Sequence, residues 1–152
     1  MTLIAVGRLK ERYFREAAHE YLKRLTPYAR MSEIEVHDRD LSRGEERGRA
    51  EEGADVLRAI PEGAHVVLLD VGGRERSSEE IAAWLDDHAL QGRSSIAFVI
   101  GGASGAAPEV VARADERLSL GRITLPHQLA RVVLLEQLYR AFRISRGEPY
   151  HR

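Results

Sequence analysis

Three features of the sequence predict an α/β fold: a mainly parallel sheet flanked by helices. Segments of β-type and helical periodicity alternate along the 152 residues. Two β-type segments, His65–Val71 (HVVLLDV) and Ser95–Ile100 (SIAFVI), are nearly continuous apolar runs, as expected of strands covered on both faces. No repeat, low-complexity tract or linker interrupts the pattern, so residues 1–152 are expected to form a single domain.

Each element has its own signal. Thr2–Val6 is a short strand ended by Gly7. Glu11–Leu25 is an amphipathic helix: Phe14, Ala17, Ala18, Tyr21, Leu22 and Leu25 recur at spacings of three and four, and Pro27 stops it. In Glu33–His37, Ile34 and Val36 alternate with polar residues, the pattern of a half-exposed strand. Ser42–Arg43–Gly44–Glu45 has capping-box spacing and opens a charged helix to about Ile60, closed by Pro61. The His65–Val71 strand is followed by Gly72 and Gly73. A second capping box, Ser77–Ser78–Glu79–Glu80, introduces a helix through Leu90 that holds the only tryptophan, Trp84. Ser95–Ile100 runs into Gly101–Gly102–Ala103–Ser104–Gly105. Pro108–Ala114 is a short helix with its proline in the first turn. Arg117–Leu120 and Ile123–Leu125 read as a strand or extended loop, and Pro126 precedes a last helix, His127–Ile144. Ligands of parallel α/β sheets bind beyond the carboxyl ends of the strands, where both glycine clusters fall.

Composition excludes several classes. Hydrophobic residues at 43% and charged ones at 31% are those of a soluble globular chain. No cysteine means no disulfide framework, no thiolate metal site and no cysteine nucleophile. The apolar runs are too short to span a bilayer and no signal peptide opens the chain, so a cytoplasmic protein without membrane contact is expected. The net charge of −1 hides an asymmetry: residues 1–30 and 113–152 each carry +4, and residues 31–112 carry −9. The termini are either solvated helix faces or, if they converge, a basic face for a polyanion.

The chemistry-bearing constellations are few. GGASG after a buried strand is a turn or a backbone cradle for a ligand. It is not GxGxxG, and no P-loop is present, which counts against a redox or phosphate-transfer nucleotide domain. The six histidines show no HExxH and no paired spacing, so no metal is expected. No GxSxG elbow is present. In the last helix, Leu129, Val132, Val133, Leu134, Leu135, Leu138, Tyr139, Ala141 and Phe142 cover nearly the whole circumference, as in a helix buried on several sides, one of them against a second copy of the chain. Glu136 and Arg140, four residues apart within it, are an ordinary helix pair or a scaffold beside a site. The tail Arg146–Arg152 either frays or, through Tyr150, His151 and Arg152, offers a stacking ring, a titrating group and a phosphate fork suited to RNA.

Thr124–Leu125–Pro126–His127, Arg131–Val132, Glu136–Gln137–Leu138–Tyr139–Arg140–Ala141 and Pro149–Tyr150–His151–Arg152 together resemble the C-terminal signature of the ribosomal RNA large-subunit methyltransferase H (RlmH) family, in the SPOUT superfamily. Val6–Gly7, Tyr21–Leu22–Lys23–Arg24, Leu68–Leu69–Asp70, Ile100–Gly101–Gly102 with Gly105, and Ser119–Leu120 match in order, so the resemblance covers the whole chain. It departs at Ala103 and Ser104, where members commonly carry Pro and an acidic or polar residue, and at Gln128, often Pro.

The resemblance implies methyl transfer from S-adenosylmethionine, without a metal, to N3 of a pseudouridine in helix 69 of 23S rRNA, within the large subunit or whole ribosome. It implies a homodimer and a deep trefoil knot at the C-terminal end, which nothing in the periodicity signals. By the same resemblance, Leu69, Gly101, Gly102, Leu120, Gly121, Arg122, Ile123, Thr124 and Leu125 bind the cofactor. Glu136, Arg140, Tyr150, His151 and Arg152 form the catalytic set, the tail organising substrate and the Glu136–Arg140 pair serving as scaffold. Arg8, Lys23, Arg24, Arg131 and Arg152 contact RNA. A side chain at Gly102 is expected to intrude on the ligand. The remaining rival is a non-catalytic ribosome-binding factor that uses the basic termini alone.

Overall fold

The computed structural model describes residues 1–40, 42 and 44–150. Ten elements follow in order: β1 (Thr2–Val6), α1 (Arg12–Leu25), β2 (Ser32–Val36), α2 (Glu45–Ala59), β3 (His65–Glu75), α3 (Ser78–Leu90), β4 (Ile96–Ile100), α4 (Pro108–Arg113), β5 (Glu116–Ser119) and α5 (His127–Ser145). The strands form one sheet in the order β2-β1-β4-β3-β5, and every pairing is parallel.

Alternation along the strands builds two cores. Leu3 and Ala5 of β1, Phe98 and Ile100 of β4 and Val67 of β3 point to one face, where Ala18 and Leu25 of α1, Ile81 and Leu85 of α3, and Leu134, Leu135 and Leu138 of α5 cover them. Ile4 and Val6, Ala97 and Val99, and Val66 and Leu68 point to the other, against Val56 of α2 and Val110 of α4. Burial on both faces explains why β3 and β4 read as apolar runs.

The structure departs from the sequence reading in two places. The capping box at Ser42 does not form: α2 starts after Gly44, which has φ +124° and gives no side-chain cap, while the Ser42 N–H donates to Asp40 Oδ1 at 3.0 Å. The box at Ser77 does form, with Glu80 as its reciprocal partner. Gly72 and Gly73 do not end β3. The strand bulges over Asp70–Gly73 and resumes beside β5, so that Leu118 faces both Leu69 and Arg74. A Cβ on Gly73 would lie 2.7 Å from the Arg117 carbonyl carbon, which is why the bulge carries glycine. Of the two readings of Ile123–Leu125, strand or extended loop, the structure takes the loop.

Candidate active site at the carboxyl edge of the sheet

The carboxyl ends of β3 and β4, the loop after β5 and the first turn of α5 enclose a cavity of about 740 Å3. That is within the usual size of a small-ligand site. Leu69, Gly101, Gly102, Leu120, Gly121, Ile123, Thr124 and Leu125, eight of the nine residues expected to hold a cofactor, line it. The ninth, Arg122, is exposed and does not. Asp70, Val71, Pro126 and His127, to which sequence reasoning assigned no role, line it as well. The signal for His127 was present in the Thr124–His127 motif.

The glycine loop is a tight turn: Gly105 N–H donates to Gly102 O at 3.0 Å, with Gly105 at φ +79°. A Cβ on Gly101 would stand 2.9 Å from Ala106 N, and one on Gly102 would stand 2.9 Å from Glu52 Oε2 and 3.1 Å from Val6 Cγ1. Gly102 therefore makes room beneath the loop, not in the cavity, and this corrects the expected reason for its glycine. Asp70 is held by Arg117 Nη1 at 3.1 Å and by the Gly72 N–H at 3.0 Å. Ser119 Oγ receives the Gly121 N–H at 3.2 Å and donates to Gly121 O at 3.0 Å, fixing the loop after β5. The walls are glycine, leucine and other apolar residues with Asp70, Thr124 and His127, and among the described residues no cation cluster lines them. They suit a flat heteroaromatic ligand with hydrogen-bonding edges, not a phosphate.

Of the expected catalytic set, His151 and Arg152 lie outside the described residues. The structure joins the other three away from the cavity lining. Glu136 Oε1 accepts from Arg140 Nε at 3.0 Å, from Arg140 Nη2 at 2.6 Å and from the Tyr150 hydroxyl at 2.5 Å. Gln137 Nε2 occupies Oε2 at 2.5 Å, and the Arg140 guanidinium stacks 3.7 Å from the Tyr150 ring centre. Burial and the hydrogen bond to Glu136 push the Tyr150 hydroxyl up to about 12. Upstream, Arg143 and Tyr28 hold Glu148, and Arg143 donates to Pro149 O. The tail is thus docked as far as Tyr150.

Arg8, Lys23 and Arg24 are exposed, as an RNA contact requires. Arg131 is not. It is 4% exposed, donating from Nε and Nη2 to Glu33 Oε1 at 3.0 and 2.7 Å and from Nη1 to Glu35 Oε1 at 2.9 Å. Its expected RNA role is corrected to a structural one: the guanidinium fork is spent inside the chain.

One further polar cluster sits at the opposite, amino edge of the sheet. Glu116 accepts from His65 Nε2 (2.9 Å), Trp84 Nε1 (2.9 Å) and Arg76 Nη2 (2.6 Å), with His88 Nε2 at 3.6 Å. His65, His88 and Glu116 have the spacing of metal ligands. With three N–H donors already on the carboxylate, one of them a guanidinium, the cluster is a hydrogen-bond network joining β3, α3 and β5, beside which the buried His88 Nδ1 stays without a partner among the described residues.

Comparison with known proteins gives concordant matches. A family described as "Predicted SPOUT methyltransferase" matches residues 1–151. A Carboxydothermus hydrogenoformans protein named "Ribosomal RNA large subunit methyltransferase H" is 48% identical, covering 100% of this chain and 99% of its own. Proteins of the same name from Listeria welshimeri and Pelotomaculum thermopropionicum are each 51% identical, covering 99% of this chain and 98% of their own.

Proposed function

The chain belongs to the SPOUT methyltransferase family, and on that premise we propose that it is an S-adenosylmethionine-dependent methyltransferase of large-subunit ribosomal RNA. Family membership implies the knotted α/β fold. The names of the full-length relatives point to the RNA, and the signature residues noted above point to N3 of a pseudouridine in helix 69. The observation that carries the reading is the backbone-and-leucine cavity at the carboxyl edge of an all-parallel sheet. Whole ribosomes or large subunits are the substrate, the whole chain acts as one domain in a homodimer, and the enzyme works in the cytoplasm.

The donor, when bound, supplies a methyl group on a sulfonium. The main-chain groups of Leu69, Gly101 and Gly102 read its adenine edge while Leu120 and Leu125 cover the ring faces. Because Gly105 and Ser119 fix both loops, the cavity is organised before binding, and positioning supplies much of the rate. The target nitrogen must also lose a proton. Glu136 is already occupied by Arg140, Tyr150 and Gln137, which makes it a scaffold for the tail and a poor base. The titratable side chains lining the cavity are Asp70, tied to Arg117, and His127. Tyr150, His151 and Arg152 organise the substrate, and Arg8, Lys23, Arg24 and Arg152 contact RNA.

Two measurements test the proposal. Titration calorimetry with S-adenosylmethionine is expected to show one site per chain and no comparable heat with NAD or FMN. Mass spectrometry of 23S rRNA from a strain lacking the protein is expected to show one methylated pseudouridine missing, restored by the intact gene. Unaltered rRNA in that strain overturns the assignment of substrate, and absent cofactor heat overturns the enzyme itself in favour of a binding factor.

A further inference from the structure

We infer that Tyr13 is a stacking platform for an RNA base beside the cavity; the inference rests on the RNA substrate proposed above. Tyr13 stands in the first turn of α1 and is 62% exposed. It lies off the stripe of Phe14, Ala18, Tyr21, Leu22 and Leu25 that packs on the core. Its ring is backed by Phe14, centroids 4.6 Å apart and planes tilted by 58°, so one side is supported within the chain.

Its position is fixed relative to the cavity. Gln128 Oε1 accepts the Lys10 N–H at 2.7 Å, and Arg15 Nη1 donates to Leu9 O and Lys10 O at 3.1 and 2.6 Å. Gly7, with φ +89°, lies so close to His127 that a Cβ there would come within 3.3 Å of its Nε2. The β1–α1 loop is thereby pinned to the first turn of α5, which supplies His127 to the cavity. The segment that carries Tyr13 continues from that pinned loop.

The charges around the ring choose the occupant. Arg8 is exposed, with no ion-pair partner among the described residues. The Lys10–Asp38 and Arg12–Glu16 pairs are exposed and exchangeable for phosphate. α1 begins with no side-chain cap and no acid in its first turn, and Glu11 at its N-cap offsets part of its positive end. A single aromatic face among mobile cations is the arrangement that takes an unstacked base and its phosphates. A protein partner would need a contiguous apolar patch, and the exposed neighbours of Tyr13 are charged instead: Arg8, Lys10, Glu11, Arg12 and Glu16.

The test uses the full-length enzyme and large ribosomal subunits from a strain lacking it. Tyr13→Ala is expected to weaken subunit binding and raise KM about tenfold, the effect of losing one base stack, with kcat at saturation and cofactor affinity unchanged. Tyr13→Phe and Tyr13→Trp are expected to stay within about twofold of wild type, because the face and not the hydroxyl is used. Leu90→Ala, at a strongly exposed apolar side chain on α3, serves as control. Equal binding by Tyr13→Ala, or equal losses in Tyr13→Ala and Tyr13→Phe, overturns the stacking role. A wild-type enzyme inert on whole ribosomes as well as on large subunits removes the parent reading instead.

Discussion

Arg131 ties α5 to β2 through Glu33 and Glu35, and the cost of burying its charge is met only while all three are present. Arg131→Ala leaves two solvent-accessible carboxylates without their cation, and the expected loss is about 1–3 kcal/mol of unfolding free energy. Arg131→Lys recovers only part, because an ammonium cannot replace the two-sided fork. Urea unfolding of the three proteins checks this; an Arg131→Ala variant of full stability but weakened RNA binding returns the residue to the RNA surface. Glu52 is a comparable case. Buried under the glycine loop, it accepts the Arg39 N–H at 2.8 Å and lies where a Gly102 side chain would go.

At the scale of elements, the network on Glu116 joins β3, α3 and β5 at the amino edge, and it makes stability depend on pH. Burial alone raises the Glu116 carboxyl, but hydrogen bonds from Arg76, Trp84 and His65 overcome it and hold the group down at about 2. A lowered carboxyl contributes stability present above its ordinary 4.5 and lost as pH falls toward about 2. His88 is lowered by burial first and by the neighbouring His65 second. It too favours folding above its ordinary 6.5 and opposes it as pH falls below that value, since the buried ring must then charge. Thermal melts are therefore expected to weaken in two stages on acidification, one beginning below 6.5 and one below 4.5. Glu116→Gln is expected to lose about 1–3 kcal/mol at neutral pH, from Arg76 left without its charged partner, and to lack the second stage. Neutral-pH stability equal to wild type contradicts this account.

For the whole molecule, α5 is the element that one chain leaves unfinished. Its buried side packs on the sheet, yet Leu129 and Val133 stay half-exposed, and Ile123 and Val71 stand 70% and 55% exposed at the cavity rim. At roughly 25 cal/mol per Å2 of apolar surface removed from water, covering them favours association with a second copy. Sedimentation at micromolar concentration is expected to show a dimer as the main species. A lone monomer across that range would require another explanation for the apolar rim.

Periodicity and capping alone determined most of this architecture. Strands buried on both faces must be apolar throughout, amphipathic α1 must show its stripe, and Ser77 with Glu80 can satisfy the start of α3 wherever it packs. The family resemblance likewise singled out residues, eight of which the structure brings to one cavity. Only the tertiary structure decided the rest. The direction of the missing Gly102 side chain, the pairing of Arg131 with β2 and the meeting of His65, Trp84, His88 and Glu116 depend on contacts between residues as far as 98 positions apart. Local periodicity carries no term for such separations. The bulge in β3 was hidden for the same reason: two glycines after a strand look like its end until β5 arrives to pair beyond them.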